Sequence, residues 1–120
     1  MSVEFCYQLP YPPSTNHIYR RTKRGGVVLD DKARAYREEV IYAIGKGHTT
    51  LTGRLRVQVD AYMPDKRTRD VSNILKALED AMTHAGVWKD DGQIDDLRVI
   101  RRGVESPGRV VVRVCQIQET

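Results

Sequence analysis

The stretch Met63-Pro64-Asp65-Lys66-Arg67-Thr68-Arg69-Asp70-Val71-Ser72-Asn73 decides how this chain is read, because it joins a run of one period to a run of another. Ahead of it, Leu55, Val57, Val59 and Ala61 alternate with Arg54, Arg56, Gln58 and Asp60. Period two predicts a strand with one apolar and one wet face. Beyond it, Val71, Ile74, Leu75, Leu78, Met82 and Ala85 recur at helical spacing and predict a helix with one stripe on a core. Asn73, Lys76 and Asp80 share a second face of that helix. Gly86 is placed to end it. Asp70 stands at the entrance, where its ordinary reading is an N-cap accepting a backbone N–H.

The segment C-terminal to this helix gives Asp70 a second reading. Trp88-Lys89-Asp90-Asp91-Gly92-Gln93-Ile94-Asp95-Asp96 packs four aspartates into seven residues, one short turn after Gly86. If the two ends of this unit meet at a sheet edge, their carboxylates offer the oxygen ligands that hard divalent cations take.

The rest of the chain is ordinary for a small globular domain. With 120 residues, 40% hydrophobic and 30% charged, it predicts one domain, residues 1–120, with a modest core. The net charge of +4 favours a polyanionic partner. Cys6 and Cys115 are too few and too far apart for a zinc pattern, and read as buried or half-buried free thiols in a reducing compartment. No signal peptide and no apolar run near the ~20 residues of a membrane span is seen, so a cytoplasmic, DNA-associated protein without membrane contact is expected.

Val3, Phe5, Tyr7 and Leu9 predict a first strand, closed by Pro10, Pro12 and Pro13. Ser14 to Tyr19 is a loop leading into Arg20-Arg21-Thr22-Lys23-Arg24-Gly25-Gly26, which reads either as a solvated loop or as a phosphate contact, with Tyr19 placed to stack on nucleic acid. Asp30 and Asp31 open a first helix with Tyr36, Val40, Ala43 and Ile44 as its core stripe, ending near Gly45 or Gly47. Strands over about Ile94–Arg101 and Arg109–Ile117 flank a turn at Glu105-Ser106-Pro107-Gly108. The expected fold is α+β: a mixed sheet of about four strands with two helices on it, in the order β-α-β-α-β-β and in two layers.

A carboxylate cluster within a basic chain is the charge plan of a metal-dependent nuclease, with Lys and Arg on the phosphate backbone and aspartates on Mg²⁺. Lys76 is placed to add charge to the transition state, although by itself it reads as an exposed helix lysine. His17, His48 and His84 are scattered and suggest no catalytic base.

The chain resembles the RusA-type Holliday junction resolvases of bacteria and their prophages over nearly its whole length. The resemblance is carried by Leu9-Pro10-Tyr11-Pro12-Pro13-Ser14 through Tyr19-Arg20, by Ala35-Tyr36-Arg37, by Met63-Pro64-Asp65 through Arg69-Asp70 with Asn73 and Lys76, and by Ala85-Gly86-Val87-Trp88 through Asp90-Asp91 and Gln93. It implies a homodimeric endonuclease that resolves four-way DNA junctions by paired symmetric nicks and requires Mg²⁺ or Mn²⁺. A twofold dimer suits two symmetric strands. By position, Asp70 and Asp91 resemble metal-binding catalytic carboxylates and Lys76 the essential lysine. Asp90 adjoins them as a further expected metal residue, and Ser72 and Asn73 are the expected site support. Arg20, Arg21, Lys23, Arg24, Lys66, Arg67 and Arg69 are the expected DNA-contacting residues. One departure stands out: Ser72 occupies the place of a further catalytic aspartate of the family, and a hydroxyl is at best a weak metal ligand. Either the remaining carboxylates suffice, with Asp90 or Asp95 substituting, or the metal binds more weakly, or the protein binds junctions without cutting them. A non-catalytic branched-DNA binder and a less selective structure-specific nuclease are the competing expectations.

Overall fold

The computed structural model describes residues 3–13 and 19–118, Tyr19 by its backbone alone. The expected loop Ser14-Thr15-Asn16-His17-Ile18 and the stacking role of Tyr19 fall outside the described atoms. The elements run β1 (Glu4–Pro10), β2 (Tyr19–Arg21), β3 (Val27–Leu29), α1 (Asp31–Ile44), β4 (Leu55–Met63), a 3-10 turn (Val71–Ile74), α2 (Leu75–His84), a second 3-10 turn (Asp91–Gln93), β5 (Ile94–Val104) and β6 (Arg109–Gln116). β1, β6, β4 and β5 form one sheet in that order. β4 pairs parallel with β5 and antiparallel with β6, and β1 antiparallel with β6, so the sheet is mixed and the fold is α+β as expected.

Apolar alternation puts Leu55, Val57, Val59 and Ala61 of β4 and Val110, Val112 and Val114 of β6 into one core, each at most 2% exposed. α1 and α2 cover that face. α2 contributes Leu78, Ala81 and Met82, and the turn before it Ile74. Gly86 ends α2 at a φ of +82°, with Gly86 N–H on the Thr83 carbonyl and Val87 N–H on the Met82 carbonyl. That double closure is the Schellman arrangement, and Val87 is fully buried beyond it. Trp88 follows, 1% exposed, its indole N–H donating to Thr83 Oγ1 at 2.7 Å. The two helices are tied by a bidentate pair, Arg37 Nε to Asp80 Oδ2 at 2.8 Å and Arg37 Nη2 to Asp80 Oδ1 at 2.9 Å. Asp80 thus serves the helix interface rather than an open polar face.

Four expectations need correction. The basic segment expected as a loop is the hairpin β2–β3, closed by Thr22 N–H on the Gly26 carbonyl at 2.8 Å, with Gly25 at a φ of +83°. Three-residue strands are too short to register as alternation. In α1, Ala33 is buried and Ala43 exposed: the helical repeat runs 33, 36, 40, 44 and turns Ala43 outward. The charged face of β4 is not wet throughout, since Asp60 is 2% exposed, closed over by Arg102 (2.9 Å) and Arg113 (3.0 Å) from the flanking strands. Cys6 is exposed, because β1 turns it to the sheet face that no helix covers; Cys115 is half-buried, and both thiols are free. At the far end of β4, Gly108 packs so close to Pro64 that an added Cβ would meet it at 3.0 Å. This close approach seats the β5–β6 turn under the opening of the Met63–Asn73 stretch. β5 is the sheet's outer strand, so Leu97 keeps 39% exposure.

Candidate functional site

Two aspartates stand ahead of two 3-10 turns, and the structure uses them differently. Asp90 is an N-cap: its carboxylate accepts Gly92 N–H at 2.9 Å, and Gln93 Oε1 accepts the N–H groups of Lys89 (2.9 Å) and Asp90 (3.0 Å). Gln93 Nε2 then donates to the carbonyls of Leu51 (3.1 Å) and Gly53 (2.9 Å), which anchors the turn to the segment before β4. This reciprocal capping satisfies donors that a short helix leaves open. Asp70 precedes the other turn in extended conformation, φ −77° and ψ 118°, and its side chain makes no capping bond. Only its backbone carbonyl takes part, accepting Asn73 N–H at 3.1 Å. The ordinary N-cap reading of Asp70 is therefore overturned, and its exposed carboxylate is left to solvent.

The aspartate run sorts itself in the same way. Asp95 is paired with Arg54, whose guanidinium holds its carboxyl below the usual range and also bonds the Gly92 carbonyl. Asp96 is paired with Arg56 at 3.0 Å and Arg98 at 3.6 Å. Among the described residues, Asp91 is the one member of the run whose carboxylate makes no hydrogen bond or ion pair, and it is exposed. Four identical residues thus divide into three engaged in the fold and one available.

Asp91 lies within electrostatic reach of α2. Glu79, half-buried one turn beyond Lys76, has its carboxyl pushed up by burial and further by the negative charge of Asp91, with Lys76 pulling the other way. Sequence reasoning passed over Glu79 because it lies between the apolar stripe and the Asn73/Lys76/Asp80 face. Its spacing of three from Lys76 was the available signal. Ser72 is exposed, and the acidic group that feels Asp91 is Glu79 of α2. Asn73 is half-buried in the turn and Lys76 is exposed.

The basic residues fall in two places. In the Met63–Asn73 stretch, Asp65 accepts Arg69 in a bidentate pair at 2.6 and 3.0 Å and the Arg67 N–H at 2.9 Å. The Arg69 guanidinium, and then the Arg67 amide, hold the Asp65 carboxyl down at about 2. Lys66 and Arg67 are exposed, and Arg67 also approaches Asp65 at 3.5 Å. From β5, Arg101 donates to the Arg69 carbonyl. In the hairpin, Arg20 approaches Asp31 at 3.7 Å, while Arg21, Lys23 and Arg24 are exposed or half-exposed. Leu29 at the hairpin's end packs with Ala33 and Ala77, next in sequence to Lys76, so the hairpin abuts the lysine's helix.

Asp70 and Asp91 each keep a carboxylate that the fold leaves unengaged, the ligand type that a hard divalent cation takes, and Glu79 lies within electrostatic reach of Asp91. Mg²⁺ keeps several waters and takes one or two carboxylates rather than a closed protein cage. Among the described residues no three His, Cys, Asp or Glu side chains are gathered into a group that could hold a metal ion. No helix among the described residues is long and apolar enough to cross a membrane.

Comparison with known proteins bears on this arrangement directly. The family described as Endodeoxyribonuclease RusA matches residues 10–115. A crossover junction endodeoxyribonuclease of Enterobacteria phage HK97 is 43% identical over 119 residues, covering 96% of this chain and 97% of the relative. A protein of the same name from Enterobacteria phage 82 is 38% identical over 112 residues, covering 91% and 92%. One from Shigella sonnei is 36% identical over 115 residues, covering 94% and 95%. Such identity along almost the full length, over both aspartate-led turns, shows that the chain belongs to the RusA endodeoxyribonuclease family.

Proposed function

We propose that this protein is a crossover junction endodeoxyribonuclease, one RusA-type domain over residues 1–120 that acts as a homodimer on four-way DNA in recombination and repair. The observation that carries the reading is the 43% identity to a phage protein of that name, spanning 97% of it. Three features of the chain support it. Asp70 and Asp91 have carboxylates that the fold does not consume. Glu79 adds acidic charge near Asp91 where Ser72 cannot. Lys76 stands on the same helix as Glu79.

In this proposal Asp70 and Asp91 would hold Mg²⁺ or Mn²⁺, with Glu79 adding acidic charge beside Asp91. Asp90 is committed to its cap and stays at the margin. A cation held there would supply Lewis acidity toward the scissile phosphodiester and a water of lowered pKa. The chain's own residues do the rest. Lys76 sets its ammonium against the negative charge that grows on the phosphate oxygens. Lys66 and Arg67, with Arg21, Lys23 and Arg24 of the hairpin, bind the DNA backbone and position the strand. A twofold pair of such sites nicks two symmetric strands.

Cleavage of a labelled synthetic four-way junction across a Mg²⁺ series, with Asp91→Asn alongside, tests the reading. Paired symmetric nicks in the parent, absent in the variant, are expected. Tight metal-independent binding without nicks, equal in both proteins, would instead favour a non-catalytic junction binder, the reading to which Ser72 points.

A further inference from the structure

Arg101 lies on β5 opposite Ala61, a core position, so it is on the helix-covered side of the sheet near its outer edge. Its guanidinium reaches back to the Met63–Asn73 stretch and donates to the carbonyl of Arg69. That carbonyl belongs to the peptide bond joining Arg69 to Asp70. Arg101 therefore fixes a positive charge at the base of the carboxylate that the fold leaves unused.

The neighbouring arginines differ from it in one respect. Arg67 and Arg69 approach Asp65, Arg98 approaches Asp96, and Arg102 is closed on Asp60. Among the described residues Arg101 has no carboxylate partner and is exposed. A guanidinium has five N–H donors in a planar fork, and the bond to Arg69 uses one side of it. The half-buried Tyr11 phenol feels Arg69, Arg101 and Asp65, which places the Arg101 charge beside the Asp65–Arg69 pair. The Arg69 fork is closed on Asp65, so the donors left for an anion are those of Arg101, and a guanidinium edge matches the oxygens of a backbone phosphate.

We propose that Arg101 is a phosphate-contacting residue of the DNA site, its guanidinium pinned to the Arg69 carbonyl so that its remaining donors grip the backbone of the strand lying at Asp70. This rests on the reading of the chain as a DNA enzyme. It adds a contact from β5 to the basic residues of the turn and the hairpin, and it makes the strand's position depend on the same peptide that carries Asp70.

The test measures binding of the full-length protein to a labelled four-way junction in EDTA, over a salt series, for the parent, Arg101→Gln and Arg101→Lys, with thermal melting of each. For Arg101→Gln the slope of log K against log[salt] is expected to fall by about 0.9, the value of one phosphate contact. Affinity should drop severalfold at moderate salt while the melting temperature holds. Arg101→Lys keeps the charge and should keep most of the slope. A slope and affinity unchanged in Arg101→Gln would overturn the proposal, and so would a loss of affinity accompanied by a lowered melting temperature and an unchanged slope, which marks a purely structural prop. A parent that binds junctions in this way but does not nick them with Mg²⁺ would sink the endonuclease reading and leave the slope to decide the role of Arg101. A parent that binds no junction overturns both.

Discussion

The two aspartate-led turns of this protein are built from nearly the same parts and do opposite things with them. At the second turn every polar group of Asp90 and Gln93 that bears on the cap is matched: one carboxylate, one amide and their backbone partners close on one another. At the first, Asp70 precedes a turn of four residues and caps nothing with its side chain. Ready-made intrachain partners make a carboxylate structural, and their absence leaves it free for a ligand. An N-cap contributes ~1 kcal/mol to a helix. A chain that forgoes it at the entrance of its central helix keeps that side chain for another use.

That comparison can be broken by experiment. The largest effect is expected at the free aspartate: Asp70→Asn should lower junction cleavage by at least about a hundredfold, as loss of a metal-holding group does. Chemical denaturation should find its stability within about 0.5 kcal/mol of the parent, as for other exposed substitutions. At the helix interface, Asp80→Ala should cost about 1–3 kcal/mol, because it removes the half-buried, charge-assisted bidentate pair that ties α2 to α1. Asp90→Ala should reverse the Asp70 pattern, losing about 1 kcal/mol of stability while cleavage falls far less than in Asp70→Asn. Should Asp90→Ala abolish cleavage at unchanged stability, the division between capping and free aspartates would be wrong.

The smallest effect is electrostatic. Asp65 has its folded-state pKa lowered to about 2, chiefly by the Arg69 guanidinium, so its contribution to the turn is present above the usual carboxylate range and is lost as pH falls toward 2. An NMR titration should find the Asp65 carboxyl midpoint near 2, and Arg69→Gln should return it toward ordinary values. A midpoint unmoved by that substitution would mean that the Asp65–Arg69 pair does not shape the turn.

The fold is legible in the sequence where periodicity carries the information. β4, β6 and the α2 stripe show themselves because burial of one face imposes period two or 3.6 on the residues themselves. Gly86 does so because its positive φ suits glycine. The hairpin at Arg20–Gly26 is hidden because strands of three residues span too little to show a period. The burial of Asp60 is hidden too, since nothing local to β4 announces that Arg102 and Arg113 will close on it from two other strands.

The site divides along the same line. By itself the sequence determined that aspartates would crowd one short segment of a basic chain and that another would stand at a helix entrance, and its motif spacing was specific enough to point to the family. Which aspartates were available was decided only by tertiary structure. Asp90, Asp95 and Asp96 are engaged by groups that are distant in sequence or set by the local turn, whereas Asp70 and Asp91 are not. The neighbours of Glu79 and Arg101 were decided in the same way, Asp91 coming within electrostatic reach of the one and the Arg69 carbonyl accepting from the other. The physical reason is that a side chain's charge is a property of its residue type, while its freedom to act depends on which partners the fold brings within hydrogen-bonding distance.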